Sequence, residues 1–271
     1  MQKYGLIGGK LGHSLSPAIH ELFFKYTNIK GSYELLETEL ENLPKRMQNL
    51  RASFKGCNVT IPHKLNVMPL LDGITPEAQS IGAVNTIKFT AEGAYGYNTD
   101  YFGFKRMLEY NDIALENKIA VVMGSGGAAR AVMKALADGK CARIYLVTRK
   151  PSEVDKHFLE IAPQCQVIDY AALEGLEGDV LVNCTPVGMY PKVGVAAVPA
   201  SVSASFAASV DLIYNPAKTL FLEQAEASGK KAVNGLFMLV AQAVAAEEIW
   251  QDHKYASDLI VRIMQELEGR I

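Results

Sequence analysis

Short runs of β-branched and aliphatic residues alternate along the chain with stretches whose apolar positions recur every three or four residues, the pattern of a sheet covered by helices. Residues 3–8 read as a strand, and residues 17–26 place Ile19, Leu22, Phe23 and Tyr26 at i, i+3, i+4 and i+7, a helical stripe. Residues 32–37 predict a second strand, 43–50 a helix and 55–61 a third strand, while 84–89 and 94–97 predict a hairpin turning through Glu92-Gly93. A helix is predicted over 101–110, and a change of domain near 102–111. The pattern then restarts. Residues 119–123, 143–148, 166–168, 180–184, 210–213 and 230–233 are six candidate strands with helices or turns between most of them, which predicts a doubly wound parallel sheet. The Ala/Ser/Val-rich piece 193–208 reads as a surface connection.

Composition narrows the class. The chain has 271 residues, enough for about two domains, and 49% apolar with 21% charged residues is a globular balance that disfavours disordered and fibrous readings. Against 29 acidic residues stand 27 basic ones, a net charge of −2, without the basic excess expected of a nucleic-acid protein. Cys57, Cys141, Cys165 and Cys184 are scattered, so neither a zinc-type metal site nor a disulfide framework is expected. The apolar start of the chain breaks at Gly8-Gly9, and the nearest approach to a membrane helix, 232–246, carries Asn234, Gly235 and Gln242. A soluble cytoplasmic protein is the expectation, with a small anionic ligand held by a few local cations.

Gly124-Ser125-Gly126-Gly127-Ala128-Ala129 follows the predicted strand 119–123 and opens a helix over 128–137. Gly124, Gly126 and Ala129 meet the G-x-G-x-x-G/A spacing: a tight turn, close approach of backbone to a pyrophosphate, and close helix–strand packing. The free N–H groups at the helix start favour phosphate. At the end of the next strand an NAD site would carry an acid for the ribose 2′-hydroxyl. Thr148-Arg149-Lys150 stands there instead, and a guanidinium suits a 2′-phosphate, so NADP is favoured over NAD.

In residues 55–64, Cys57, Val59 and Ile61 alternate on one face and Asn58 and Thr60 on the other, until Pro62 releases His63 and Lys64 into a turn. Asp100 stands where a helix N-cap is expected, and Ser16-Pro17 reads as N-cap followed by Pro at N1. Ser14 and Ser16, two apart on an extended segment, would aim both hydroxyls at one anion. Each residue alone has a plain structural explanation. Together they reach an NADP-dependent enzyme with a polar substrate.

The chain resembles the shikimate dehydrogenase family end to end. The matching segments are Ser14-Leu15-Ser16-Pro17, Asn58-Val59-Thr60-Ile61-Pro62-His63-Lys64, Gly82-Ala83-Val84-Asn85-Thr86, Asn98-Thr99-Asp100, Gly124-Ser125-Gly126-Gly127-Ala128-Ala129-Arg130, Asn183-Cys184-Thr185-Pro186-Val187-Gly188-Met189, Asp211-Leu212-Ile213-Tyr214-Asn215-Pro216 and Asn234-Gly235-Leu236-Phe237-Met238-Leu239-Val240-Ala241-Gln242. The resemblance implies reversible NADPH-dependent reduction of 3-dehydroshikimate to shikimate, in aromatic amino-acid biosynthesis, by a monomer or homodimer. It assigns catalysis to Lys64 and Asp100. It assigns the substrate carboxylate to Ser14 and Ser16, and the carboxylate or ring hydroxyls to Asn58, Thr60, Asn85, Tyr214 and Gln242. Cofactor contacts fall on Gly124, Ser125, Gly126, Gly127, Ala128, Thr148, Arg149, Lys150, Thr185, Leu212, Gly235 and Met238. Hydride delivery to a ketone makes an alkoxide, so a proton donor or cation must lie within about 3 Å of that oxygen. Lys64 can be either, with Asp100 holding its amine.

Many relatives carry a second arginine a few residues beyond Arg149, where this chain has Glu153. A quinate/shikimate dehydrogenase with relaxed cofactor choice is therefore the nearest alternative, and a non-catalytic NADP-binding sensor the alternative of another class. Because Gln242 must reach the same substrate as Ser14 and Lys64, the expected architecture is α/β with two domains: a discontinuous substrate-binding domain, 1–103 plus 236–271, and a Rossmann NADP-binding domain, 104–235, with the active-site cleft between them.

Overall fold

A computed structural model of the chain describes residues 1–269 and falls into two units, Met1–Gly103 with the described residues from Val240 on, and Phe104–Leu239. In the first unit β1 (Gln2–Gly8), α1 (Ser16–Thr27) and β2 (Gly31–Glu37) form a parallel β–α–β hand. After them come α2 (Leu43–Arg51), β3 (Gly56–Val59), β4 (Gly73–Ile74), α3 (Pro76–Ile81), β5 (Thr86–Phe89), β6 (Ala94–Tyr97) and α4 (Thr99–Tyr110), which passes into the second unit after Gly103. The sheet order is β2-β1-β3-β5-β6-β4, with β5 antiparallel to both β3 and β6. One face of it, through Ile7, Cys57, Val59 and Ile87, buries Leu43, Met47 and Leu50 of α2, the i, i+4, i+7 stripe of that helix.

The strand over 55–61 is shorter than its alternation predicts. It ends at Val59, and Ile61 is 74% exposed rather than on the buried face with Cys57 and Val59. Thr60 still donates its N–H to the Ile7 carbonyl, but Pro62 has no N–H to extend the ladder, and the His63 N–H turns back to the Thr60 carbonyl. Ile61 thus rides on the outside of a turn.

The second unit runs β7 (Ile119–Met123), α5 (Gly127–Asp138), β8 (Arg143–Val147), α6 (His157–Ile161), β9 (Cys165–Ile168), β10 (Gly178–Asn183), α7 (Ala200–Ala204), β11 (Phe206–Asp211), α8 (Leu220–Ala227) and β12 (Lys231–Val233). All pairings are parallel in the order β12-β11-β10-β7-β8-β9, the 3-2-1-4-5-6 order of a Rossmann sheet. Central β7 is apolar without alternation because helices cover both faces. The expectation of a surface connection over 193–208 is corrected: Val198, Val202 and Phe206 are buried against Leu181 and Phe221, and β11 already begins at Phe206. Ala and Ser blurred the periodicity there, and a single large side chain per turn carries the packing.

The last elements are α9 (Leu236–Gln251) and α10 (Ser257–Glu268). The division between units falls inside α9, after Leu239, four residues later than the expected cut at 236. The reason is local: Phe237 stacks on Tyr110 with centroids 4.4 Å apart, and the Leu239 N–H donates to the Gly235 carbonyl, so the first turn stays with the second unit. Beyond it Val240, Ala241, Ala243, Val244, Ala245 and Ala246 are all buried, so α9 is an interior helix with apolar residues on every side. No helix among the described residues is long and apolar enough to cross a membrane.

Candidate active site

In the first unit the chain places Lys64 just past β3 and Asp100 in the first turn of α4, with Lys64 Nζ donating to Asp100 Oδ2 at 2.5 Å. Their side chains are only 13% and 11% exposed, so this contact lies in a protected niche. Asp100 is not the N-cap that its position suggested. The helix begins at Thr99, two residues before the predicted start, and Asn98 Oδ1 accepts the N–H of Tyr101, the capping bond. With the cap supplied by Asn98, the Asp100 carboxylate turns to Lys64.

Ser16 is likewise the first residue of α1 and not its cap. Leu15 precedes it in helical conformation, so the 14–16 segment is not extended, and with no cap from Leu15 the Ser16 N–H donates to Ser14 Oγ at 3.2 Å. The two hydroxyls still converge, with Ser14 Oγ donating to Ser16 Oγ at 3.1 Å, because the turn brings them together. Behind them lies a polar network. Tyr33 donates its hydroxyl to Asn58 Oδ1 (2.7 Å) and also hydrogen-bonds Ser16; Asn58 Nδ2 donates to Thr86 Oγ1 (3.0 Å). Asn85 Oδ1 accepts the Thr99 N–H (2.6 Å) and the Thr86 hydroxyl (3.1 Å). Asn58 and Asn85 are thus locked in place by residues absent from the sequence-based selection, Tyr33, Thr86 and Thr99. Burial holds the Tyr33 phenol well above its usual range, which makes it a neutral donor, and His20 stacks flat on its ring at 4.0 Å. Thr60 stands outside that network, its N–H on the Ile7 carbonyl and its own carbonyl accepting the His63 N–H, and half-buried Gln242 lies in the same unit on α9.

In the second unit Gly124 has φ +97°, and a Cβ there would stand 2.9 Å from Thr185 Cγ2, so the turn requires glycine. Around a Cβ built on Gly126 there is nothing within 4 Å, leaving open backbone beside the start of α5. That combination fits a dinucleotide phosphate: free N–H groups, a helix N-terminus and room for close approach. Next to it Ser125, Thr148, Arg149, Lys150, Glu153 and Val154 line a pocket of 210 Å³. Lys150 Nζ donates to both carboxylate oxygens of Glu153, at 2.8 and 3.0 Å. Arg130 of the same loop motif is buried in α5, over the Phe158 ring and paired with Asp155. Thr185, Leu212, Tyr214, Gly235 and Met238 all belong to this unit, on the segments that follow β10, β11 and β12. Among the described residues no three His, Cys, Asp or Glu side chains gather as a metal site, and the four cysteines are free.

Asp211, at the end of β11, is wholly buried, and no cation among the described residues pairs with it. Burial pushes its carboxyl up to about 6, against the pull of hydrogen bonds from Thr219, the Ile213 N–H and Asn183. Because this lies above the unfolded value near 4, its contribution to stability is complete below that value. The contribution is lost as the pH rises through about 6, on the order of 3 kcal/mol. Asp211→Asn keeps an acceptor at Oδ1 and should therefore gain in apparent Tm relative to the parent protein as the pH is raised from about 4.5 to about 8. A melting difference that is flat across that range would contradict the assignment.

The shikimate dehydrogenase substrate binding domain family matches residues 6–87. A shikimate dehydrogenase (NADP(+)) of Clostridium beijerinckii is 46% identical over 253 residues, 93% of either chain. Among solved structures, a chorismate mutase/shikimate 5-dehydrogenase fusion protein from Clostridium acetobutylicum matches with TM-score 0.95 and 49% identity over 100% of this chain and 98% of that one. The shikimate 5-dehydrogenase of Thermus thermophilus, in complex with NADP(H) and shikimate, matches with TM-score 0.87 and 34% identity over 98% of this chain and 99% of that one.

Proposed function

The chain belongs to the shikimate dehydrogenase family, and on that premise we propose that Lys64 and Asp100 are the catalytic pair for the reversible NADPH-dependent reduction of 3-dehydroshikimate to shikimate. What carries the catalytic assignment is the 2.5 Å contact between them in a largely water-excluded niche. An ammonium has three donors, and Asp100 occupies one, leaving others for a substrate oxygen. NADPH, when bound, supplies the hydride that adds to the ketone carbon. As the carbonyl electrons move onto oxygen, Lys64 donates a proton from Nζ to that oxygen and is reprotonated from solvent; in the reverse direction it accepts the hydroxyl proton. Asp100 restrains the amine, so that the rotamer freedom an exposed lysine would keep is given up before the substrate binds.

Ser14 and Ser16 take the substrate carboxylate, and Asn58, Thr60, Asn85, Tyr214 and Gln242 the carboxylate or ring hydroxyls. The backbone of Gly124, Ser125, Gly126, Gly127 and Ala128 takes the pyrophosphate. Thr148, Arg149 and Lys150 take the adenosine 2′-phosphate, and Thr185, Leu212, Gly235 and Met238 the nicotinamide side. The enzyme works in the cytoplasm.

The test is reduction of NADP⁺ by shikimate, with NAD⁺ and quinate run in parallel. NADP⁺ with shikimate should give the highest kcat/KM; binding of NADP⁺ without any turnover would sink the reading. Within the substrate site, Tyr33→Phe removes the donor to Asn58 and is expected to raise the shikimate KM by ~5-fold or more, with kcat little changed, the effect of one hydrogen bond of about 1 kcal/mol. An unchanged KM would remove Tyr33 from that account.

A further inference from the structure

Asp211 has a cost, burial of a carboxylate with no countercharge, that stability alone does not explain. It sits at the carboxyl end of a parallel strand, the edge where open α/β sheets take ligands. We propose that Asp211 is a positioning residue for the cofactor, setting through Oδ1 the two segments that carry Thr185 and Leu212. The proposal rests on the shikimate dehydrogenase reading for the identity of the ligand.

Asn183 and Asp211 are register partners at the ends of adjacent strands β10 and β11, both with no exposed surface. Asp211 Oδ1 accepts from Asn183 Nδ2 at 3.0 Å and from the Ile213 N–H at 3.1 Å, while Oδ2 accepts the Thr219 hydroxyl at 2.7 Å. The first bond orients the Asn183 amide, whose Oδ1 then accepts both the N–H and the hydroxyl of Thr185, at 3.0 and 2.6 Å. Thr185 Cγ2 closes on the Gly124 turn. On the other side, fixing Ile213 fixes its carbonyl, which accepts the Gly235 N–H at 3.0 Å. The Leu212 N–H donates to the Asn183 carbonyl at 3.0 Å, and a Cβ on Gly235 would come within 2.2 Å of the Leu212 oxygen. Contacts from one carboxylate therefore reach Thr185, Leu212, Gly235 and, through Thr185, Gly124. Thr219 ties the same carboxylate to the start of α8, where its hydroxyl accepts the Leu222 N–H.

The work is done by acceptor geometry at Oδ1, which asparagine reproduces, with Nδ2 then donating to the Thr219 hydroxyl. Direct titration of NADP⁺ by calorimetry, without substrate, reads the effect apart from turnover. Asp211→Ala is expected to weaken NADP⁺ by ~10-fold or more, because three buried donors, Asn183 Nδ2, the Ile213 N–H and the Thr219 hydroxyl, lose this acceptor. Asp211→Asn should stay within ~3-fold of the parent protein, and Asn183→Ala should reproduce the loss. The double variant Asp211→Ala/Asn183→Ala should be no weaker than the worse single one, because both act on one chain of contacts. A folded Asp211→Ala or Asn183→Ala with unchanged NADP⁺ affinity overturns the proposal, as does a loss in Asp211→Asn equal to that in Asp211→Ala. If Asp211→Ala does not fold, Asn183→Ala and Asp211→Asn decide between these outcomes. Failure of the parent protein to oxidise shikimate would sink the functional reading and leave these NADP⁺ affinities to judge Asp211 alone.

Discussion

Lys64→Ala should turn over at ~10⁻³ of the parental kcat, within the 10²- to 10⁴-fold range that a positioned proton donor contributes. NADP⁺ affinity should not change, because every residue proposed to hold the dinucleotide lies in the Phe104–Leu239 unit and Lys64 in the other. Stability should fall, by up to about 3 kcal/mol, because removing Lys64 leaves an uncompensated carboxylate at Asp100 in a niche where its side chain is only 11% exposed, and thermal melting reads this apart from turnover. Asp100→Asn is the complementary change. Since Asn98 and not Asp100 caps α4, the helix keeps its capping bond, and a fall in kcat can be assigned to loss of the Lys64 partner. Stopped-flow and steady-state rates with shikimate and NADP⁺ check both variants; a Lys64→Ala enzyme with substantial turnover would remove Lys64 from the chemistry.

Arg149→Ala should raise the Kd of NADP⁺ by ~10- to 100-fold, the weight of losing a hydrogen bond to a charged group, and leave NAD⁺ unchanged because NAD⁺ has no 2′-phosphate. Glu153 works in the opposite sense. Its carboxylate lines the same pocket and holds Lys150, so an incoming phosphate meets a like charge and competes for the ammonium. With the two side chains 69% and 64% exposed, water screens much of this. Glu153→Gln should accordingly tighten NADP⁺ by only ~2- to 5-fold, again without effect on NAD⁺, and the gain should shrink with added salt. Calorimetric titration of both dinucleotides at two ionic strengths tests the pair. A parallel change for NAD⁺ would show that these residues read something other than the 2′-phosphate.

The strand–glycine turn–helix over 119–138 was legible because every requirement in it is local: an apolar run, three small residues at fixed spacing, and a following helical stripe. The repeated alternation also predicted a doubly wound parallel sheet of six strands, while the order in which they pair is seen only in the structure. Family-matching segments likewise named Lys64, Asp100 and the two serines. What residue order left open was which of two competing local roles each side chain takes. Asp100 and Ser16 both looked like helix caps, and helix starts two residues earlier for Asp100 and one residue earlier for Ser16, set by tertiary packing, gave them other partners. Val198, Val202 and Phe206 carried too little periodicity among Ala and Ser to announce a core. Tyr33 and Asp211 were silent for a different reason: alone, each is an ordinary strand residue. Their meaning comes from partners 25 and 28 positions away, Asn58 and Asn183, that only the sheet register brings within hydrogen-bond reach. Local chemistry along the chain thus determined the kind of fold and the set of candidate groups, and tertiary pairing decided which of those groups meet, because a hydrogen bond depends on distance in space and not on spacing along the backbone.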